Sequence, residues 1–277
     1  MKHRMPIYID IETIPGQHPS VREALQAQAD EEKQAIKAPG NYKDADKIAE
    51  YIMAKQAEID TAMDDRWRKT SFDGALGQIA SISVALEDDA PINIYSEEWA
   101  TAEPNLLREF FGVISQAYNA SSDMRPVFIG HNVVAFDLRF IFQRAVLLGV
   151  KPPHILPINP RPWDESVFDT MVAWAGVGNR VSLDKLCRVF GIPTKGTEIG
   201  DEIDGSKVWD FVQAGRIADV ATYCGGDVER VREIHRRMTF AHLSGWLSAS
   251  TICDKQATKS KRSTAACPTA RWWPSTT

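Results

Sequence analysis

Between Pro6 and Glu12 the chain alternates. Ile7, Ile9 and Ile11 fall on one face of an extended segment, and Tyr8, Asp10 and Glu12 fall on the other. A period of two over such a run predicts a strand buried on its isoleucine face. Residues 18–70 read differently. They are rich in Ala, Gln, Glu, Asp and Lys, which favour helix. Ile48, Ile52, Ile59 and Met63 recur there at near-helical spacing, predicting a helical insertion after the first strand. Residues 76–86 and 92–95 read as further strands. Leu106, Leu107, Phe110, Phe111 and Ile114 mark an amphipathic helix over 103–118. Val127–Ile129 predicts a short strand, and the stretch from about Ala135 to Leu148 a helix. Residues 150–165 hold five of the 15 prolines and read as an irregular loop. Helical patterns return at 168–175, 182–190, 206–214 and 217–239. No internal repeat is visible.

The end of the chain departs from this pattern. Residues 251–277 carry Lys255, Lys259, Lys261, Arg262 and Arg271 against Asp254, with no core-forming periodicity. They read as a basic, disordered tail, leaving 1–250 as the globular domain.

Composition narrows the picture. The chain has 277 residues, 44% hydrophobic and 25% charged, in the range of a globular protein with a full core. No apolar run approaches the roughly 18 residues of a membrane span, and the N-terminus lacks the apolar stretch of a secretory signal. The net charge of −5 argues against a protein that coats nucleic acid by bulk electrostatics. It does not argue against local contact with nucleic acid, because carboxylates that bind metal ions lower formal charge and the bound ions restore it locally. Cys187, Cys224, Cys253 and Cys267 form no CxxC pair, which argues against a structural zinc site. Scattered free thiols fit a cytoplasmic location.

Three segments carry candidate chemistry. Asp10 and Glu12 lie two apart on the first strand, so both side chains share one face. Two carboxylates on a core strand are costly unless something compensates them. In Gly130-His131-Asn132-Val133-Val134-Ala135-Phe136-Asp137, a turn hands a strand over to a helix, a position where α/β sheets bind ligands. Asp137 also suits the positive end of that helix, and His131 and Asn132 serve equally as substrate contacts or loop caps. In Tyr223-Cys224-Gly225-Gly226-Asp227, Tyr223 and Asp227 are four apart and share a helix face. Two glycines within a helix cost about 1 kcal/mol each relative to alanine, so a close neighbour or ligand is expected there.

In this order the three segments resemble the motifs of the DEDD (DnaQ-like) 3′–5′ exonucleases, in the subgroup with tyrosine in the third motif. Phe168-Asp169-Thr170, Ser182-Leu183-Asp184-Lys185-Leu186 and Phe190-Gly191-Ile192-Pro193 resemble the stretch between the second and third motifs. Lys195-Gly196 and Gly205-Ser206-Lys207-Val208 are similar to the branch related to the proofreading exonuclease domain of B-family DNA polymerases. The resemblance implies an α/β, ribonuclease-H-like mixed sheet flanked by helices, here with the insertion at 18–70. It implies two Mg²⁺ or Mn²⁺ ions held by Asp10, Glu12, Asp137 and Asp227. Tyr223 would place the attacking water; an ordinary tyrosine hydroxyl, with a pKa of about 10, is a poor base. Ile11, Thr13, His131, Asn132 and Phe136 flank the carboxylates and are the candidate substrate contacts, though Phe136 equally suits the core. The implied activity is stepwise release of nucleoside 5′-monophosphates from the 3′ end of DNA, taken as single-stranded. Asp169 is a supporting residue or simply a helix cap. No polymerase palm motif accompanies these segments.

Other readings stay open on sequence. RNA is a possible substrate, because sugar choice rests on contacts to the 2′-hydroxyl that the sequence does not reveal. A catalytically silent nucleic-acid-binding module on the same scaffold is another, although it would have no need of four converging carboxylates. Protein partners are unassigned.

Overall fold

The computed structural model describes residues 3–118, 124–194 and 203–241. The chain divides into two units, Met1–His235 and Arg236–Thr277, the second described only over 236–241. The 251–277 tail and the Lys195-Gly196 segment lie outside the described residues.

A five-stranded sheet organises the first unit. Its strands are β1 (His3–Ile14), β2 (Gln78–Leu86), β3 (Ile92–Ile94), β4 (Met124–Gly130) and β5 (Val167–Asp169). They run in the order β3-β2-β1-β4-β5, with β1 antiparallel to β2, and β4 parallel to both β1 and β5. The mixed sheet with β1 at its centre is the ribonuclease-H-like arrangement. Pro6, which has no N–H, sits just outside the β2 pairing, which begins at Ile7.

The alternation in β1 sorts the molecule into two cores. Ile7, Ile9 and Ile11 enter the main core with helix α4 (Trp99–Ala117) and helix α5 (Asp137–Leu147). From α4 come Leu106, Leu107, Phe110, Phe111 and Ile114, the stripe expected from sequence. A buried ion pair joins these helices to the sheet. Both Glu103 oxygens accept from Arg144, at 2.8 and 2.7 Å, and Oε1 also accepts the Ile79 amide at 2.9 Å.

The opposite face of β1 is covered by the C-terminal helices α8 (Val208–Gln213) and α9 (Ile217–Met238). The second core gathers Ile14, Trp67, Trp209, Val220 and Tyr223. The insertion forms α1 (Pro19–Ala35), α2 (Ala45–Thr61), α3 (Met63–Arg68) and a turn of 3-10 helix, Lys69–Phe72. Trp67 anchors it: the indole N–H donates to the Gly16 carbonyl at 2.9 Å, and the ring meets Trp209 edge-on at 5.4 Å. Arg66 holds α3 to α1 through two hydrogen bonds to Glu32. The apolar stripe of α2 is only half-covered, and no residue of that helix is fully buried.

One sequence expectation needs correction. Phe168 and Asp169 do not begin a helix; they belong to β5, where Phe168 pairs with Ile129 and Asp169 with Gly130. The helix α6 starts at Thr170 and ends at Ala175. Strand pairing some forty residues away in sequence overrides the local helical pattern. The pattern at 182–190 forms α7 (Leu183–Phe190), capped by the Ser182 side chain. Among the described residues no helix is long and apolar enough to cross a membrane.

Candidate active site

The even-numbered face of β1 presents Asp10 and Glu12 towards α9. Two features let that helix approach closely. The strand partners of Asp10 and Glu12 on β2 are Ser83 and Ser81, both small. On α9, Gly225 packs against Asn93 of β3: a Cβ there would lie 2.5 Å from Asn93 Oδ1. That oxygen already accepts from the Ser83 hydroxyl at 2.7 Å. The close neighbour expected from the paired glycines is thus β3, at Gly225.

The approach brings Asp227 to the strand. Carboxylate oxygens of Asp10, Glu12 and Asp227 all lie within 4.8 Å of one another. Glu12 and Asp227 are buried and Asp10 is half-buried. Hard oxygen donors converging in a largely dry site suit Mg²⁺ or Mn²⁺, so the donor set fits the ions that the resemblance implies.

Asp137 stands beside this set without being one of its three members. Its Oδ1 accepts the Ile11 amide at 3.1 Å. The reason lies in the sheet. Pairing of β1 with β4 ends at Tyr8, where β4 runs out into the Gly130 turn. Beyond that point the edge of β1 is met by residues 131–137, and the buried Asp137 carboxylate takes the Ile11 N–H. The Ile11 side chain is in the main core, turned away from the carboxylates.

The second motif is a braced turn. Gly130 admits no side chain, since a Cβ would lie 2.6 Å from Val133 Cβ and 3.1 Å from the Ile9 carbonyl. Asn132 takes the left-handed conformation (φ 65°) that asparagine tolerates. Asp169 does both things the sequence left open. It caps α6 through the Met171 and Val172 amides, and it accepts the Asn132 and Val134 amides at 3.0 and 3.2 Å. His131 is bonded at both ring nitrogens, Nδ1 to the Thr170 hydroxyl at 3.0 Å and Nε2 to the Val181 carbonyl at 2.8 Å. A carbonyl can only accept, so Nε2 carries a proton. Phe136 is half-buried against the main core, 5.6 Å from the Phe140 ring. Thr13 lies just past a β-bulge and donates to the Ser71 carbonyl at 2.7 Å.

In the third motif Tyr223 is 1% exposed, in the second core one helical turn before Asp227. Cys224 lies between helix and strand, its thiol 3.3 Å from the Asp10 carbonyl and 3.4 Å from Asp10 Oδ2. Burial pushes this thiol well above its usual pKa, and the Asp10 and Glu12 charges push it further the same way.

Sequence reasoning missed Arg230. Its buried guanidinium donates to Asp227 Oδ1 at 3.2 Å and to the carbonyls of Pro193 and Thr194 at 3.0 and 2.8 Å. It therefore links the carboxylate site to the segment after α7. The available signal was its spacing, three residues after Asp227 and so near the same helix face.

The fold defines the ribonuclease-H-like α/β class, here with carboxylates gathered at the middle of its sheet. A family model described as "Predicted 3'-5' exonuclease related to the exonuclease domain of PolB" matches residues 72–262, and the chain belongs to that family. The matched region holds the second and third motifs, whereas Asp10, Glu12 and most of the insertion precede it. Among solved structures, the family B DNA polymerase of the hyperthermophilic archaeon Pyrobaculum calidifontis is similar in fold. Its TM-score is 0.50 at 15% identity, over 85% of this chain. The likeness takes in 24% of the polymerase, so the chain spans about a quarter of that protein. No curated protein matches the chain.

Proposed function

We propose that the protein is a metal-dependent 3′–5′ exonuclease that removes nucleoside 5′-monophosphates from the 3′ end of single-stranded DNA. The observation that carries this reading is the convergence of Asp10, Glu12 and Asp227, from a strand and a helix more than 200 residues apart in sequence, within 4.8 Å. Membership of a family described as a predicted 3′–5′ exonuclease supports the reaction class.

In this reading Asp10, Glu12 and Asp227 would hold two Mg²⁺ or Mn²⁺ ions, with Asp137 as a fourth carboxylate whose Oδ1 accepts the Ile11 amide. Such ions would supply an activated water and stabilise charge on the attacking and leaving oxygens. Tyr223 orients the water by its hydroxyl. The water oxygen adds to phosphorus, the bond to the 3′ oxygen of the penultimate sugar breaks, and that oxygen takes up a proton. Arg230 holds Asp227 by one oxygen. Asp169 and His131 keep the Gly130–Asp137 turn in place.

Digestion of 5′-labelled single-stranded DNA with Mg²⁺ or Mn²⁺, beside matched RNA, tests the reading. The expected result is a ladder shortening from the 3′ end, absent with EDTA and absent for the D10A/E12A variant. Folded protein that leaves both polymers intact with either metal would overturn it. Faster loss of RNA than DNA would keep the chemistry and change the substrate.

A further inference from the structure

A cleft of about 260 Å³ opens next to the carboxylate site, its outer wall supplied by the insertion. Thr13 and Pro15 line it from the end of β1, Asp65 from α3, Lys69 and Phe72 from the 3-10 turn, and Trp209 from α8. Thr13 directly follows Glu12, with a β-bulge between them, so the cleft begins at the residue next to a candidate metal ligand.

Its lining is unusual for a structural crevice. Phe72 keeps 67% of its surface exposed although it lines the same cleft as Trp209. Lys69 is exposed and makes no ion pair among the described residues. The adjacent Arg68, by contrast, is held by Asp64 and Asp210. The far wall is fixed: Thr13 and Trp209 are both 8% exposed. An exposed ring beside an unpaired cation is the combination that holds single-stranded nucleic acid, the ring by stacking and the cation by phosphate contact. The cleft is smaller than the roughly 300–1,000 Å³ pockets of drug-sized ligands, a size suited to a single base.

We propose that this cleft is a single-strand subsite, in which one unpaired base beside the scissile phosphate stacks on Phe72 while Lys69 contacts the adjoining backbone phosphate. The proposal rests on the exonuclease reading and adds to it a function for the insertion. Asp65 also lines the cleft; its carboxylate repels a phosphate and can accept from a base amino group, which assigns the backbone phosphate to Lys69.

The test is binding of a fluorescently labelled single strand and of a blunt duplex to the D10A/E12A protein, in which the strand is not consumed. Phe72→Ala is expected to weaken single-strand binding on the order of ten-fold and Phe72→Tyr to restore it. Lys69→Ala is expected to lower the slope of log affinity against log salt by about 0.7. Neither change should alter duplex binding, and both residues are exposed enough that thermal melting should not move. Single-strand affinity unchanged in both variants, while the wild-type enzyme still digests DNA, would overturn the subsite alone. Wild-type protein that digests no nucleic acid would overturn the exonuclease reading beneath it.

Discussion

Arg230 is the cation that the fold sets against Asp227, and both side chains are almost wholly shielded from water. Removing one member of a buried pair leaves the other charge uncompensated, at a cost of about 3–5 kcal/mol. Arg230→Ala should show that loss in denaturant unfolding with EDTA, and a smaller one in millimolar Mg²⁺, where a bound cation replaces the lost charge. Equal losses in both buffers would mean that no cation reaches Asp227. Cys224 gives a second prediction at this scale. Its thiol is pushed up by burial and by the neighbouring carboxylates, and thiolate is the form that alkylates. In folded protein near pH 8, iodoacetamide should leave Cys224 unmodified by peptide mass spectrometry, and urea should expose it to labelling. Period and spacing put Asp10 with Glu12 and Tyr223 with Asp227 on common faces, and the resemblance of the three motifs made Asp10, Glu12 and Asp227 candidate ligands. The sequence left the roles of His131 and Asp169 open between alternatives, because their partners at Thr170, Val181 and Asn132 are set by tertiary contacts.

At the level of elements, α9 and β3 define how deeply the third motif enters the sheet. Gly225→Ala gains about 1 kcal/mol of helix propensity. It also drives a methyl group into Asn93, whose amide is tethered to Ser83. Overpacking of this kind costs about 1–3 kcal/mol, so the single variant should be less stable and the G225A/N93A double variant should recover the loss. Additive effects in that cycle would remove β3 as the reason for the glycine. The glycine itself was legible as an anomaly in a helix. Its cause was not, since Asn93 lies more than a hundred residues earlier in the chain. The same limit explains β5. Val167 and Phe168 favour a strand, but three residues are too few to show a period, and the pairing of Phe168 to Ile129 appears only once β4 is in place.

At the scale of the whole molecule, the Asp10–Glu12–Asp227 carboxylate cluster joins the two ends of the first unit, β1 and α9. A ligand that binds only the folded chain stabilises all of it, by about 2.7 kcal/mol at a concentration 100 times its Kd. Mg²⁺ or Mn²⁺ should therefore raise the thermal midpoint of the wild-type protein and leave that of the D10A/E12A variant unmoved. A shift in both proteins would place the stabilising ion elsewhere. By itself the sequence determined the local grammar: the period-two strand that puts Asp10 and Glu12 on one face, the helical character of residues 18–70, the stripe on α4, and Tyr223 and Asp227 one turn apart. Periodicity is a property of neighbouring residues, so it survives without a fold. Only the tertiary structure decided which carboxylates meet. It set Asp227 against Asp10 and Glu12, turned Asp137 to the Ile11 amide where β4 pairing ends, put Arg230 beneath the site, and opened the cleft between Thr13 and Phe72. Those arrangements depend on how closely distant segments approach, and side-chain volumes at Ser81, Ser83, Gly130 and Gly225 fix that distance only after the sheet has formed.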